Sequence, residues 1–289
     1  MYLALNINLE YITYHPLVYI AACLVLIVIA KFTLGLFMKG VNIDHELVEK
    51  DNFAFSIAHV GYYIGLLISL AGVLSGSGSA NFWEDVGLTV AYGGISILLM
   101  NLSAILNNKI VFAKYNIQKE IIEQQNVGSG IIEAANFIAT GFIIFGAMRM
   151  DLDEPWLTIV YWAISQVVFF VISQVYNLIT PYNVHHEIEK GNSAVAIGYA
   201  GALIAFGILL EHGIASSHYS VLESSVYMGI DVLAGIILLP VLRIVTDKIL
   251  LPKRKLTDEL VNQEKPNHGV AFIEAFSYIT GALLFTWCW

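Results

Sequence analysis

Charge is what this chain has least of. Only 13% of its 289 residues are Asp, Glu, Lys or Arg, while 57% are hydrophobic, and mean hydropathy is +0.72. Soluble domains carry about a quarter charged residues, so this apolar surplus exceeds what a core absorbs and predicts a bilayer home. Cysteine is scarce too: Cys23 and Cys288 both fall inside apolar runs, which excludes a disulfide framework. The net charge of −9 is spread over short segments, so no basic surface for nucleic acid is expected. Met1 to His15 contain no Lys or Arg, so the first apolar run is expected to be a retained span rather than a cleaved signal. A His-Glu-x-x-His motif, a nucleotide-binding motif and paired axial histidines for haem are all missing. His45-Glu46 and His185-His186-Glu187 stand adjacent rather than a turn apart, a poor arrangement for a metal. No residue set argues for an enzyme, and no cofactor or metal is implied.

What is present is a series of long apolar runs. Eight windows are long enough to cross a membrane, near Pro16–Phe37, Phe53–Leu74, Val86–Leu106, Gly128–Met148, Pro155–Leu178, Ser193–Leu210, Ser220–Leu242 and Gly269–Trp289. The fold class is therefore all-α integral membrane with eight spans. Four of the connecting segments hold twelve Lys and Arg residues, and the other three hold only Arg149. The basic set includes Lys50, Lys119, Lys190, Arg243 and Lys253-Arg254-Lys255. Basic residues stay on the cytoplasmic side, so these four loops are expected inside and both termini outside. Trp83, Trp156, Trp287 and Trp289 then lie at the outer interface. The outer connections are thin: a Ser75–Ser79 linker, an Arg149–Glu154 turn, and Glu211–Glu223 with His212 and His218, expected to be solvated.

The four basic loops share a pattern in which an acidic segment reaches an Asn that opens an apolar run rich in small residues. Asn52-x-Ala54-x-x-Ile57-x-His59-x-Gly61 in the first half of the chain matches Asn192-x-Ala194-x-x-Ile197-x-Tyr199-x-Gly201 in the second. Asn126-x-Gly128 with Ile132-Glu133-Ala134 matches Asn267-x-Gly269 with Ile273-Glu274-Ala275 at nearly the same offset. Asn108-Lys109-Ile110 likewise aligns with Asp247-Lys248-Ile249. The chain reads as a tandem duplication of a four-span half, residues 1–151 and 152–289, joined near Asp151–Pro155 and built from four hairpins of one orientation. Such parallel repetition differs from the inverted repeats of many transporters.

Asn52, Asn126, Asn192 and Asn267 are expected to cap the helices they open. The acids before them (Glu46, Glu49 and Asp51; Glu120 and Glu123; Glu187 and Glu189; Glu259 and Glu264) read as solvated helix faces. Ala54, Ala58, Gly61 and Gly65, with Ala194, Gly198, Gly201 and Ala205, keep one face of the second and sixth spans small, which suits close helix packing in lipid. Seven positions after each Asn stand His59, Glu133, Tyr199 and Glu274, about two turns deeper on the face of the Asn. Ionisable groups inside spans are expensive and mark partners, cavities or paths. If the repeats surround an axis, these four converge on it as a cation or proton path, with Asp231 of the seventh span a further acid. Against that, each Glu has structural partners within reach in Asn101, Asn136, Tyr278 or a protonated Asp231, and His59 and Tyr199 read equally as packing residues. Lys31 is expected to snorkel to the cytoplasmic face.

The motif Glu46…Asn52-x-Ala54, Glu120…Asn126-x-Gly128, Glu187…Asn192-x-Ala194 and Glu259…Asn267-x-Gly269 resembles the bacterial membrane family called domain of unknown function 350. The resemblance covers nearly the whole chain as two copies of a four-span unit. It implies an inner-membrane protein and supplies no activity. Relatives of that family tend to be encoded near stress-response membrane proteins and homologues of polyamine-ligating enzymes, an association that makes a polyamine or cation link worth testing. Two readings follow. One is a channel or transporter whose cargo is a small cation, a proton or a polyamine. The other is a non-transporting scaffold or stress-response component, whose cytoplasmic loops, above all Lys253–Lys255, meet a partner or anionic lipid. The glycine-rich faces suit a homo-oligomer as well as a single chain.

Overall fold

The computed structural model describes residues 9–38, 41–76, 79–106, 116–149, 156–215, 221–251 and 253–289, and among these all regular structure is helical. Eight helices are long and apolar enough to span a bilayer: α1 (Leu9–Phe37), α2 (Phe53–Ser75), α3 (Phe82–Leu106), α5 (Val127–Met148), α6 (Trp156–Ile179), α8 (Ser193–Ala215), α9 (Val221–Val245) and α11 (His268–Cys288). Backbone polar groups find no partner in hydrocarbon, so each apolar run closes its hydrogen bonds internally as a helix. Three short helices, α4 (Ile117–Ile122), α7 (Val184–Glu189) and α10 (Leu256–Val261), precede the fourth, sixth and eighth spans, and a π-helical segment, His45–Glu49, takes that place before the second. The chain is thus four copies of outer span, short helix, inner span. The expected join at Asp151–Pro155 lies outside the described residues, as do His218 and Lys109.

The spans form two layers. The inner row runs α2, α5, α8, α11, each packed chiefly on the next, and its two ends have no comparable contact with each other. The outer helices lie over the seams: α3 on α2 and α5, α6 on α5 and α8, α9 on α8 and α11, with α1 flanking α3. The two sequence halves therefore pack as one body, because α5 and α8 meet across the join.

Small residues set the spacing within the row. A methyl group on Gly61 would lie 2.3 Å from Ala134 Cα, and one on Gly201 would lie 2.4 Å from Ala275 Cα. One on Gly65 would meet the Phe137 carbonyl oxygen at 2.2 Å. Close backbone approach of this kind, rather than a hydrophobic drive, holds helices together in lipid. The predicted small face is therefore used, although the two most buried spans are α8 and α5 rather than α8 and α2. The reason is position: α2 ends the row and α5 has an inner neighbour on both sides. Glycines on α5 (Gly130 against Ala54, Gly141 against Gly65) complete the contact from the other side.

Candidate functional site

The repeated Asn does more than cap. Its side-chain oxygen accepts from the backbone N–H three positions on, at Phe55, Ser129, Val195 and Val270, over 3.1–3.3 Å. Its amide donates to the acid that precedes it: Asn52 to Glu46 at 2.9 Å, Asn126 to Glu120 at 3.4 Å, Asn192 to Glu187 at 3.5 Å and Asn267 to Glu259 at 3.0 Å. Its backbone N–H donates to the carbonyl of that same acid in all four repeats. In the first three repeats the amide also reaches the fifth residue of the next repeat's short helix: Asn52 to Ile121 O at 2.9 Å, Asn126 to Ile188 O at 2.9 Å, Asn192 to Leu260 O at 2.8 Å. These bonds fasten each repeat to its successor, and Asn267 stands in the last repeat. The carbonyls concerned belong to short helix ends, where the helix itself provides no partner.

This corrects the expectation of solvated acids. Glu46 and Glu259 are buried, while Glu49, Asp51, Glu123, Glu189 and Glu264 are exposed as expected. Burial works against the charge of Glu46, but hydrogen bonds from Lys50 (2.6 Å) and Asn52 outweigh it and hold this carboxyl below its ordinary value. Sequence reasoning missed a second Asn, upstream of the first. Asn116 and Asn183 cap α4 and α7, and Asn42 accepts from His45 N. Its signal, an Asn before each short helix, fails in the fourth copy, where Lys255 holds the position.

His59, Glu133, Tyr199 and Glu274 are all buried, but they do not converge on one axis. The inner helices form an open row. The groove that touches all four of them, about 680 Å³, is lined by Ile57, Ile131, Ile197 and Phe272, two positions before the ionisable residues. Two positions along a helix turn it by about 200°, so these polar side chains face the outer layer and the groove is mostly apolar, with Ser193 and His268 as its polar lining. The ionisable residues instead form separate sites in the two halves.

In the second half one oxygen of the carboxylate, Oε1, is closed off by donors, while Oε2 is buried without a hydrogen-bond partner. Arg243 of α9 donates to Glu274 Oε1 at 2.5 Å, and Tyr278 donates to the same oxygen at 2.8 Å. Arg243 also reaches Thr257 Oγ1 of α10 at 3.4 Å and lies 5.6 Å from the Tyr182 ring centre. Burial, followed by the Glu274 charge, pushes the Tyr182 phenol up to about 12, so it serves as a neutral π face. Gly198 makes room, since a methyl there would sit 2.3 Å from Glu274 Oε2. Tyr199 stacks on Tyr176 at 4.9 Å. Its hydroxyl lies near Ser173 without a hydrogen bond of good geometry. The loop pattern grouped Arg243 with the cations of the cytoplasmic loops; it is instead a span residue whose side chain is 13% exposed. Of the expected partners for the Glu residues, Tyr278 is realised.

The first half has the same scaffold and different contents. In the register that aligns Lys109 with Lys248, Arg243 corresponds to Ala104 and Thr257 to Gln118; in the register that aligns Glu133 with Glu274, Tyr278 corresponds to Phe137. Ala104, Gln118, Phe137, His59, Asn101 and Glu133 together line a cavity of about 190 Å³. A single water needs about 10–15 Å³ of such space, so there is ample room for a hydrated or organic ion. Glu133 Oε2 is buried without a hydrogen-bond partner, as are His59 Nδ1 and both amide atoms of Asn136, one turn further along α5. Asn136 lies close enough for its dipole to ease the Glu133 charge, but no hydrogen bond of good geometry joins the two. His59 Nε2 lies 3.0 Å from Tyr63 Oη. Losing Arg243 and the Tyr278 hydroxyl removes both donors that Glu274 enjoys, which explains the unpaired carboxylate. Lys31, on α1, turns to the exposed Asp44 at 3.4 Å, as snorkelling predicts.

Asp231 belongs to neither site. It pairs with His212 at 2.8 Å, and His212 is part of α8 rather than a solvated loop. Arg149 and Glu211 (3.4 Å) lie at that same end of α8, opposite the Asn clasps. Among the described residues no cluster of three or more His, Cys, Asp or Glu is placed to hold a metal.

Comparison with known proteins agrees with this architecture. A UPF0719 transmembrane protein of Aquifex aeolicus is 20% identical over 253 residues, covering 86% of this chain and 90% of that one. The UPF0719 transmembrane protein YshE of Bacillus subtilis is 29% identical over 113 residues, which make up 78% of it and 39% of this chain, so it is about half as long. No solved structure matches significantly. The family Domain of Unknown Function (DUF350) matches twice, over residues 7–148 and 151–289. A multi-pass membrane protein whose every repeat is built on one Glu–Asn clasp, and whose two halves each match the family, this chain belongs to DUF350 as two tandem copies.

Proposed function

We propose that the protein is a channel or transporter for a small cation or proton in the bacterial inner membrane, with the clasped loops on the cytoplasmic side. Glu133 is its charged group, with His59 as neighbour. The observation that carries this reading is the unpaired Glu133 carboxylate facing a cavity, in a half whose twin closes the equivalent carboxylate with an arginine. A buried charge without a counter-ion is costly and is retained where a mobile ion or proton supplies the compensation. Glu274 and Tyr199, by the same comparison, serve structure, and Asp231 answers to His212.

The test is electrical. Purified protein in liposomes is expected to pass protons or monovalent cations, and Glu133→Gln, which keeps the shape and removes the charge, is expected to abolish the flux while the protein still folds. Unchanged flux in that variant would remove Glu133 from the path. A second reading rests on Lys253, Arg254 and Lys255, three consecutive exposed cations next to the last clasp. They suit a scaffold that meets anionic lipid or an acidic stress-response partner. Wild-type protein that passes no ion would favour it.

A further inference from the structure

The second half displays what the first half's cavity is shaped to receive. Superposed by sequence register, the wall of the cavity and the wall around Arg243 share their elements: an inner helix bearing His59 or Tyr199, an outer helix bearing Ala104 or Arg243, and a short helix bearing Gln118 or Thr257. The following inner helix carries Glu133 or Glu274. In one half the space between them holds a guanidinium on an aliphatic stem, bonded to a carboxylate and a hydroxyl. In the other, Ala104 removes both stem and head group, and the carboxylate remains.

We propose that the Glu133 cavity binds a small organic guanidinium cation in the place that Arg243 takes in the second half. This deepens the cation reading given above and rests on it. The chemistry is specific. Glu133 presents a buried oxygen to which no group donates, and a planar guanidinium satisfies a carboxylate with directed N–H bonds as well as charge. Gln118 stands where Thr257 accepts the second N–H, and an amide oxygen accepts equally well. Asn101, which lines the cavity and whose side-chain oxygen is buried without a hydrogen-bond partner, adds a further acceptor. Leu34, Phe55 and Phe137 supply apolar lining for a short alkyl tail, the part that the arginine stem plays in the twin. A bare alkali ion would use the carboxylate and leave this apolar lining without a purpose.

Binding of methylguanidinium to the full chain in phosphatidylcholine nanodiscs, followed by calorimetry with methylammonium as the smaller, non-planar control, tests the proposal. Wild type is expected to bind one methylguanidinium per chain, at least about tenfold more tightly than methylammonium. Ala104→Arg, which gives the first half the second half's own ligand, is expected to abolish binding, and Glu133→Gln to do the same without adding bulk. Arg243→Ala is expected to raise the stoichiometry to two and to regain thermal stability when methylguanidinium is added, a rescue that a general loss of packing would not show. Absence of binding by folded wild type, equal affinity for methylammonium, or binding that survives Glu133→Gln would each overturn the inference. If binding fails while Glu133→Gln still abolishes cation flux, the guanidinium proposal falls and the cation path stands. If Glu133→Gln leaves flux intact, the path itself falls.

Discussion

Two carboxylates at equivalent places in one chain have opposite surroundings. Glu274 is held by Arg243 and Tyr278, and Glu133, on the same type of helix above the same type of clasp, faces a cavity. The scaffold is common to both halves: the Asn clasps, the small-residue contacts, the short helices tucked under the seams. The donors that Glu274 has and Glu133 lacks stand at two positions, Arg243 against Ala104 and Tyr278 against Phe137. Duplication allows this division. One copy keeps a self-contained ion pair that orders the bundle, and the other gives up the pair for an open acid. Polar groups in a membrane interior are tolerated when paired and become sites when they are not.

Four measurements sharpen or break that contrast. The largest effect is expected at Arg243. Its replacement by Ala leaves Glu274 buried without a counter-charge and should cost about 3–5 kcal/mol, seen as a fall in the thermal unfolding temperature in detergent. The converse change, Glu133→Gln, should be near neutral for stability. Comparable losses from the two would mean that Glu133 is as structural as its twin.

Next come the clasps. Asn126→Ala or Asn192→Ala removes a cap and a bond to the following repeat, about 2–3 kcal/mol together, whereas Asn267→Ala removes the cap and the Glu259 bond alone and should cost about 1–2 kcal/mol. Equal losses at interior and terminal positions would discount the bonds between repeats. Gly61→Ala and Gly201→Ala follow. Both force a methyl group against the facing helix and should each cost about 1–3 kcal/mol by overpacking, the same in both halves because the packing is shared. Gly94→Ala, where a methyl group would meet nothing within 4 Å, should be harmless. A wide gap between Gly61 and Gly201 would show that the halves differ in scaffold as well as in site.

The smallest effect concerns pH. Glu46 is held below its ordinary value in the fold, so it stabilises fully at neutral pH, above the unfolded carboxyl's range. That contribution is lost as pH falls through the depressed folded value. Thermal scans of wild type and Glu46→Gln should differ by about 1–2 kcal/mol at neutral pH and converge in acid. A constant difference at all pH values would assign the loss to shape rather than charge.

Much of the architecture is readable along the chain because its causes are local. An apolar run of about twenty residues must be a helix in lipid, and an Asn at the start of one must cap it. The repeat spacing then exposes the duplication. The candidate site is half readable. His59 and Glu133 stand out as ionisable residues inside spans, yet gathering four such residues about an axis assumes a closed ring. The inner helices form an open row, and the outer layer covers the polar face. Arg243 escapes notice because it lies at a span end, where snorkelling to water is the ordinary fate. Only the approach of α11, the next long helix, turns it inward to Glu274. The burial of Glu46 and Glu259 is likewise missed, since nothing nearby in sequence shows what packs over them, whereas Glu49, Asp51, Glu123, Glu189 and Glu264 are exposed as read.

The sequence by itself determined the membrane class, the eight spans, the four repeats and the cap at the head of each inner helix, because hydropathy, capping and internal repetition act over neighbouring residues. Only the tertiary structure decided which acid is paired and which is open. Pairing in a bilayer interior depends on what a helix from elsewhere in the chain brings within about 3 Å, and at the two equivalent places one helix brings a guanidinium and the other a methyl group.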